Sequence, residues 1–111
     1  MTSPVNPIAY TELHTGDPGR ARAFYGELFG WKSEEAQTPN GPYTTFQDLL
    51  LGLTANREDV PTTWVPYVAV ADVSRATKRA RELGGQILRD SVAISEGTFS
   101  VVRDPTGAVF G

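Results

Sequence analysis

Ile8-Ala9-Tyr10-Thr11-Glu12-Leu13-His14-Thr15 is followed by Asp17-Pro18 and a helical stretch that closes on Glu27-Leu28-Phe29-Gly30. The same order returns later. Val65-Pro66-Tyr67-Val68-Ala69-Val70-Ala71 is followed by Asp72 and a helical stretch closing on Glu82-Leu83-Gly84-Gly85. Asp17 and Asp72 stand 55 positions apart, as do Gly30 and Gly85. Half of the 111 residues is about the same number, so the chain reads as two copies of one strand-helix-strands unit. A duplicated unit yields a pseudo-twofold cleft, and equivalent positions of the copies are expected to face one site.

Working outward from these stretches, residues 8–15 alternate and predict a strand. Asp17 is a good helix N-cap and Pro18 a good first helical residue. Ala21, Phe24, Tyr25 and Leu28 follow at helical spacing and predict one apolar face. Gly30 marks the helix end. A strand is expected from Trp31 to about Ala36, then a turn at Thr38-Pro39-Asn40-Gly41-Pro42. Tyr43–Gln47 and Leu50–Thr54 read as a hairpin around Asp48. Residues 55–63 are polar and patternless and read as a linker, and residues 1–7 as a loose Pro-rich lead. In the second copy, Trp64–Ala71 opens as a strand, and Val73, Ala76, Ala80 and Leu83 mark the inner face of a helix. Its outer face, with Arg75, Lys78, Arg79 and Arg81, reads as solvated. Gln86–Asp90, Val92–Ser95 and Thr98–Arg103 read as three strands. Asp104-Pro105-Thr106-Gly107 is a turn, and Ala108–Gly111 starts a last strand. Four residues are few for a strand, so a clipped chain or completion by a partner chain is expected there.

Bulk composition narrows the function classes. The length fits one small domain, 1–111, with module one at about 8–54, the linker at 55–63 and module two at about 64–111. A net charge of −3 argues against a nucleic-acid partner. No apolar run is long enough to span a membrane. The N-terminal residues lack the basic and apolar regions of a signal peptide. Cysteine is absent, which removes disulfides, thiolate nucleophiles and Cys-based metal sites. A cytoplasmic location is the expectation that fits. There is no Gly-rich phosphate loop, Ser nucleophile elbow or zinc spacing.

Several segments together resemble the vicinal oxygen chelate superfamily, the glyoxalase, bleomycin-resistance and extradiol-dioxygenase group. They are Glu12–Pro18, Ala23-Phe24-Tyr25-Gly26-Glu27-Leu28-Phe29-Gly30-Trp31, Val70–Val73 with Glu82–Gly85, and the closing Asp104-Pro105-Thr106-Gly107-Ala108-Val109-Phe110. The resemblance covers nearly the whole chain. It implies an α+β fold of two βαβββ modules in tandem, curled into a glyoxalase-like incomplete barrel, and pairing as a homodimer.

Metal-dependent members use about four ligands, one in the opening strand and one in a late strand of each module. Aligned through Asp17 and Asp72, the opening-strand positions fall on Tyr10 and Val65. The late-strand positions fall in Leu51-Gly52-Leu53-Thr54 and at about Gly111. None is a usual divalent-metal ligand. The single histidine, His14, also rules out a two-His-one-carboxylate site within one chain. No cofactor is therefore expected, and the resemblance points to the metal-free, ligand-sequestering branch.

Alternate side chains of a strand share a face. If Tyr10 faces the cleft, so do Glu12 and His14, with successive Cβ atoms about 7 Å apart. Val65, Tyr67 and Ala69 follow in the second strand. Glu12 and His14 are then an acid-base pair, or else a structural pair in which Glu12 binds an arginine or amide and His14 caps the strand. Tyr10 and Tyr67 are ligand contacts suited to flat organic molecules, with Phe46, Trp64, Phe99 and Phe110 as walls. The expectation is a metal-free protein holding a small organic ligand in an apolar cleft. The rivals are an isomerase, cyclase or lyase using Glu12 and His14, or a metalloenzyme with a displaced site.

Overall fold

The computed structural model describes residues 5–57 and 59–111. Part of the expected lead, residues 1–4, and Glu58 of the expected linker lie outside the described residues. The described residues divide into two compact units: Tyr10–Val65, and residues 5–9 together with Pro66–Gly111.

The elements run β1 (Ile8–Thr15), α1 (Pro18–Phe29), β2 (Ser33–Thr38), β3 (Gly41–Phe46), β4 (Leu51–Ala55), β5 (Thr63–Val68), α2 (Val73–Glu82), β6 (Gln86–Ile94), β7 (Gly97–Arg103) and β8 (Val109–Phe110). This is the expected βαβββ order, twice. The sheets have the strand orders β2-β3-β4-β1-β5 and β6-β7-β8.

In the first unit, β1 runs parallel to β4, with Glu12 opposite Gly52 and His14 opposite Thr54. A parallel pair needs a crossover, and α1 with the β2–β3 hairpin supplies it. The Asp17 carboxylate accepts from the Arg20 backbone N–H at 3.1 Å and starts α1. Leu13, Phe46, Leu51 and Leu53 form the core, with Ala21, Tyr25 and Trp31 packed on it. Tyr25 stacks on Trp31, at 5.8 Å between centroids, and meets Trp64 edge-on at 5.4 Å.

The expected apolar face of α1 is only half seated. Ala21 and Tyr25 pack inward, whereas Phe24 and Leu28 are 58% and 57% exposed. The helix rests along its Ala21–Tyr25 ridge, which turns Phe24 and Leu28 away from the sheet. Parts of the expected linker are packed. Val60 is fully buried, the Asn56 amide donates to its carbonyl at 3.1 Å, and the Asn56 N–H donates to Thr15 O at 3.0 Å.

The second unit repeats the parallel pairing at one residue. The Gly111 N–H donates to Pro66 O and the Val68 N–H to Gly111 O, both at 2.8 Å, so Gly111 lies opposite Tyr67. The Asp72 carboxylate accepts from the Arg75 N–H at 3.0 Å and starts α2. The inner face of α2 centres on Thr77, buried at 4% exposure, while Leu83 is 61% exposed. The Thr77 hydroxyl bonds Val73 O and the Ser100 hydroxyl, each at 2.7 Å, which fixes the helix over β7. Leu83 falls at the C-cap, where the chain leaves that face.

Two of the three strands expected between Gln86 and Arg103 are one bulged strand, β6. Its register against β7 shifts between Ile87 and Arg89 and again between Arg89 and Val92. Ser91 sits at the bulge with φ 47°, and its N–H donates to the Ser100 hydroxyl at 2.9 Å. The Asp104 carboxylate closes the last turn, accepting from the Thr106 N–H and hydroxyl and the Ala108 N–H.

Candidate functional site

One face of the first unit's sheet gathers Tyr10, Glu12, His14 and Tyr43, and a chain of short hydrogen bonds joins them. His14 Nε2 lies 2.7 Å from Glu12 Oε1. The Tyr43 hydroxyl donates to Glu12 Oε2 at 2.6 Å. The Tyr10 and Tyr43 hydroxyls are 2.8 Å apart. Each phenol has one proton. Since Tyr43 spends its proton on Glu12, Tyr10 is the donor in the tyrosine pair.

The strand pattern explains this convergence. Tyr10, Glu12 and His14 alternate along β1 on the face opposite Leu13. Gly52 stands opposite Glu12 in β4 and opposite Thr45 in β3, and Tyr43 lies two residues from Thr45 on the same face. A Cβ on Gly52 would collide with the hydroxyls of Tyr43 and Tyr10. The missing side chain is what lets two rings reach over β4 to Glu12.

The cluster is sequestered. The Glu12 and His14 side chains are 12% and 7% exposed. Burial, followed by the negative charge on Glu12 and the hydrogen bonds to Glu12 and Tyr10, pushes the Tyr43 phenol far above its ordinary value of 10.0. Tyr43 therefore stays a proton donor throughout the physiological range. With Glu12 ionised, His14 donates through Nε2, and a neutral ring presents Nδ1 as a lone pair. That Nδ1 is buried and has no hydrogen-bond partner among the described residues.

Placement of the sequence-predicted residues is mixed. Tyr10, Glu12 and His14 come together as expected. Sequence pattern alone does not single out Tyr43; the one signal is its alternation with Thr44 and Phe46 along the strand. Phe46 and Trp64, expected as ligand walls, lie on the helix-packed side. Phe46 is 4% exposed in the core beneath α1, and Trp64 packs on Tyr25 of α1. Their parity is opposite to that of Tyr43 and Val65, and the helix covers that face.

Tyr67 lies in the second unit, 6.2 Å from Phe99 between ring centroids and edge-on to it. A Cβ on Gly111 would collide with the Tyr67 ring. Phe110 is half-buried and, as the neighbour of Gly111 in the strand, points to the side of the sheet away from Tyr67.

Two βαβββ units in tandem, each with its last strand paired parallel to its first, are the architecture of the vicinal oxygen chelate class of fold. The profile of the glyoxalase-like domain matches residues 10–111, and the chain belongs to that family. Among curated relatives, the provisionally named glyoxylase CFP32 of Mycobacterium bovis and of Mycobacterium tuberculosis is 30% identical over 92% of this chain. The chain spans only 43% of those relatives' length. Among solved structures, an uncharacterized protein from Methanosarcina mazei matches with a TM-score of 0.56 at 20% identity, over 94% of this chain and 89% of its own, and shows the fold.

The metal of the superfamily's catalytic members does not fit the side chains at the corresponding positions. The Tyr10 hydroxyl is hydrogen-bonded to Tyr43, Val65 is a fully buried hydrocarbon, and Gly52 and Gly111 carry no side chain. The remaining late-strand residues, Leu51 and Leu53, are core leucines, with Thr54 beside them. Among the described residues, no three His, Cys, Asp or Glu side chains gather at metal-binding distance. This donor set makes no centre of the known type.

Proposed function

We propose that this chain, acting as a single domain, binds a small organic molecule at the Tyr10–Glu12–His14–Tyr43 face without a divalent metal, in the manner of the antibiotic- or metabolite-sequestering members of its superfamily. The observation that supports this most is the hydrogen-bonded tyrosine pair over Gly52. The phenols fill the space that a side chain from β4 would need, so the family's late-strand ligand position carries aromatic hydroxyls. Tyrosines suit flat organic ligands, offering both apolar faces and hydroxyls. Tyr67 and Phe110 remain candidate ligand contacts in the second unit.

Native mass spectrometry of gently purified protein, prepared without chelator, tests the reading. A metal-free mass, with or without a retained organic ligand, supports it. A stoichiometric divalent cation sinks it and makes Glu12 and His14 the first ligands to replace.

A second reading, acid-base catalysis by an isomerase, cyclase or lyase, draws on His14 Nδ1. A carboxylate on one imidazole nitrogen fixes the ring and its tautomer, and here the other nitrogen is buried with no partner among the described residues. The glyoxylase name of the mycobacterial relatives favours this reading. Glu12→Gln and His14→Ala separate the two. Turnover of a retained ligand by the wild type, lost in both variants with affinity kept, selects catalysis. Binding with no turnover in any form selects sequestration.

The proposal also has the chain pairing with a second copy in the cytoplasm. Phe24, Leu28 and Phe29 are exposed along α1, whereas the position equivalent to Phe24 on α2 is Arg79. Sedimentation equilibrium tests pairing: a monomer at micromolar concentration in the wild type would refute it. Cell fractionation tests the location.

A further inference from the structure

The second unit carries a guanidinium whose partner is a ring. Arg89 lies on β6 between the two register shifts and is half-buried. Its guanidinium carbon stands 5.7 Å from the centroid of Phe99. Phe99 in turn meets Tyr67 edge-on, and the Tyr67 ring lies against Gly111. The three side chains therefore form a row of cation, ring and ring on one side of the second unit.

Three other arginines of this unit have acceptors. Arg81 reaches Asp90 at 3.2 Å, Arg79 lies 4.0 Å from Glu82, and Arg103 donates to Gln86 at 3.0 Å. Among the described residues, Arg89 has no carboxylate within ion-pair distance and no hydrogen-bond acceptor. Its nitrogens are not sealed from solvent, since His14 Nδ1 alone is a buried, unpartnered side-chain polar atom among the described residues.

Stacking on a ring satisfies the face of a guanidinium and leaves its in-plane N–H edges unused. Those edges form a fork that fits the two oxygens of a carboxylate. Phe99 holds the fork in place, so little side-chain freedom remains to be lost on binding. The adjoining Phe99 and Tyr67 rings offer an apolar wall to whatever bears that anion.

We propose that Arg89, seated on Phe99 beside Tyr67, is an anion-binding subsite for a carboxylate attached to an aromatic or other flat apolar body. It does not rest on the reading of the first unit, since none of its residues belongs to the Glu12 cluster.

The test is a titration of the full chain with sodium benzoate, and in parallel with benzamide, its neutral isostere. It is followed by 1H–15N NMR, including the Arg89 Nε–H resonance, at low ionic strength. Saturable benzoate shifts centred on Arg89, Phe99 and Tyr67 are expected, with benzamide at least about tenfold weaker. Arg89→Gln is expected to lose about tenfold or more in benzoate affinity, and Arg89→Lys to recover part of it through charge without the fork. Equal benzoate binding by Arg89→Gln, or equal binding of benzamide and benzoate by the wild type, overturns the proposal. Superimposable thermal unfolding of wild type and both arginine variants excludes loss of fold as the cause. Benzoate shifts centred instead on Tyr10, Glu12, His14 and Tyr43 would overturn the proposal.

Discussion

Glu12 and Tyr67 occupy the same place in the two copies, 55 residues apart, and each faces a glycine of the strand that closes its own module. Around Glu12 stand Tyr10, His14 and Tyr43. Their counterparts are Val65, Ala69 and Phe99, the last matched to Tyr43 because each lies two residues beyond the glycine that opens its strand. The backbone arrangement was duplicated, and the close approach over glycine was kept in both copies. The chemistry was not. A buried carboxylate is costly unless donors reach both oxygens, so the first module needs its tyrosine and histidine in fixed positions. The second module packs rings and a guanidinium, which tolerates looser geometry.

The sharpest way to break this comparison is to fill the two glycines. Gly52→Ala drives a methyl into the Tyr43 and Tyr10 hydroxyls and is expected to cost about 3 kcal/mol, from overpacking plus broken hydrogen bonds. Gly111→Ala meets the Tyr67 ring, where no hydrogen-bonded hydroxyl pair is displaced, and is expected to cost less than half as much. Urea unfolding of both variants checks the ratio; equal losses would mean that the first site is no more tightly specified than the second.

Exchanging the paired aromatics comes next. Tyr43→Phe removes the donor to Glu12 Oε2 and is expected to cost about 2 kcal/mol. Phe99→Tyr breaks no hydrogen bond and is expected to cost less than about 1 kcal/mol. Thermal unfolding ranks the pair, and the reverse order would deny the polar module its special dependence on one hydroxyl.

Alkaline pH sharpens the contrast further. Burial and the Glu12 charge raise the folded-state pKa of Tyr43 above the 10.0 of an unfolded chain. The unfolded state loses that proton first as pH rises, so stability is intact below about 10 and falls above it. Tyr43→Phe is expected to flatten that fall between pH 10 and 11.5, measured by urea midpoint. A wild type and variant of identical slope would show that the phenol ionises freely in the folded state.

A smaller effect concerns the bulge, which the second module has and the first lacks. The β2 and β3 strands pair without interruption from Ser33–Phe46 to Thr38–Gly41. Ser100→Ala removes the acceptor of the Ser91 N–H and the partner of Thr77 and is expected to cost about 1 kcal/mol. Amide exchange at Ser91 should then accelerate; unchanged exchange would mean that the bulge holds without it.

Much of the fold could be read from local chemistry. Asp17 and Asp72 cap their helices through the third following N–H, and Asp104 closes its turn. Such signals lie within four residues, so one sequence contains them. The β6 bulge could not be read, because Ser91 takes its conformation from Ser100 on another strand. The site was half legible for the same reason. Glu12 and His14 share a strand, whereas Tyr43 reaches Glu12 across 31 positions and two strands. The sequence contains no register to fix the parity of Phe46 and Trp64, and α1 lies over the face they use.

The parallel seam between β1 and β4 also sets the order of folding. The β2–β3 hairpin can close through a two-residue turn, but Thr11 and Leu51 are 40 positions apart. Closing that loop costs chain entropy before any contact repays it. The Glu12 cluster needs the seam, since its glycine lies in β4. Its hydrogen bonds are therefore expected to form after the rate-limiting step. Kinetic φ-values near zero for Tyr43→Phe, against higher values for Thr45→Ala in the hairpin, would place the site among the last parts of the molecule to be built.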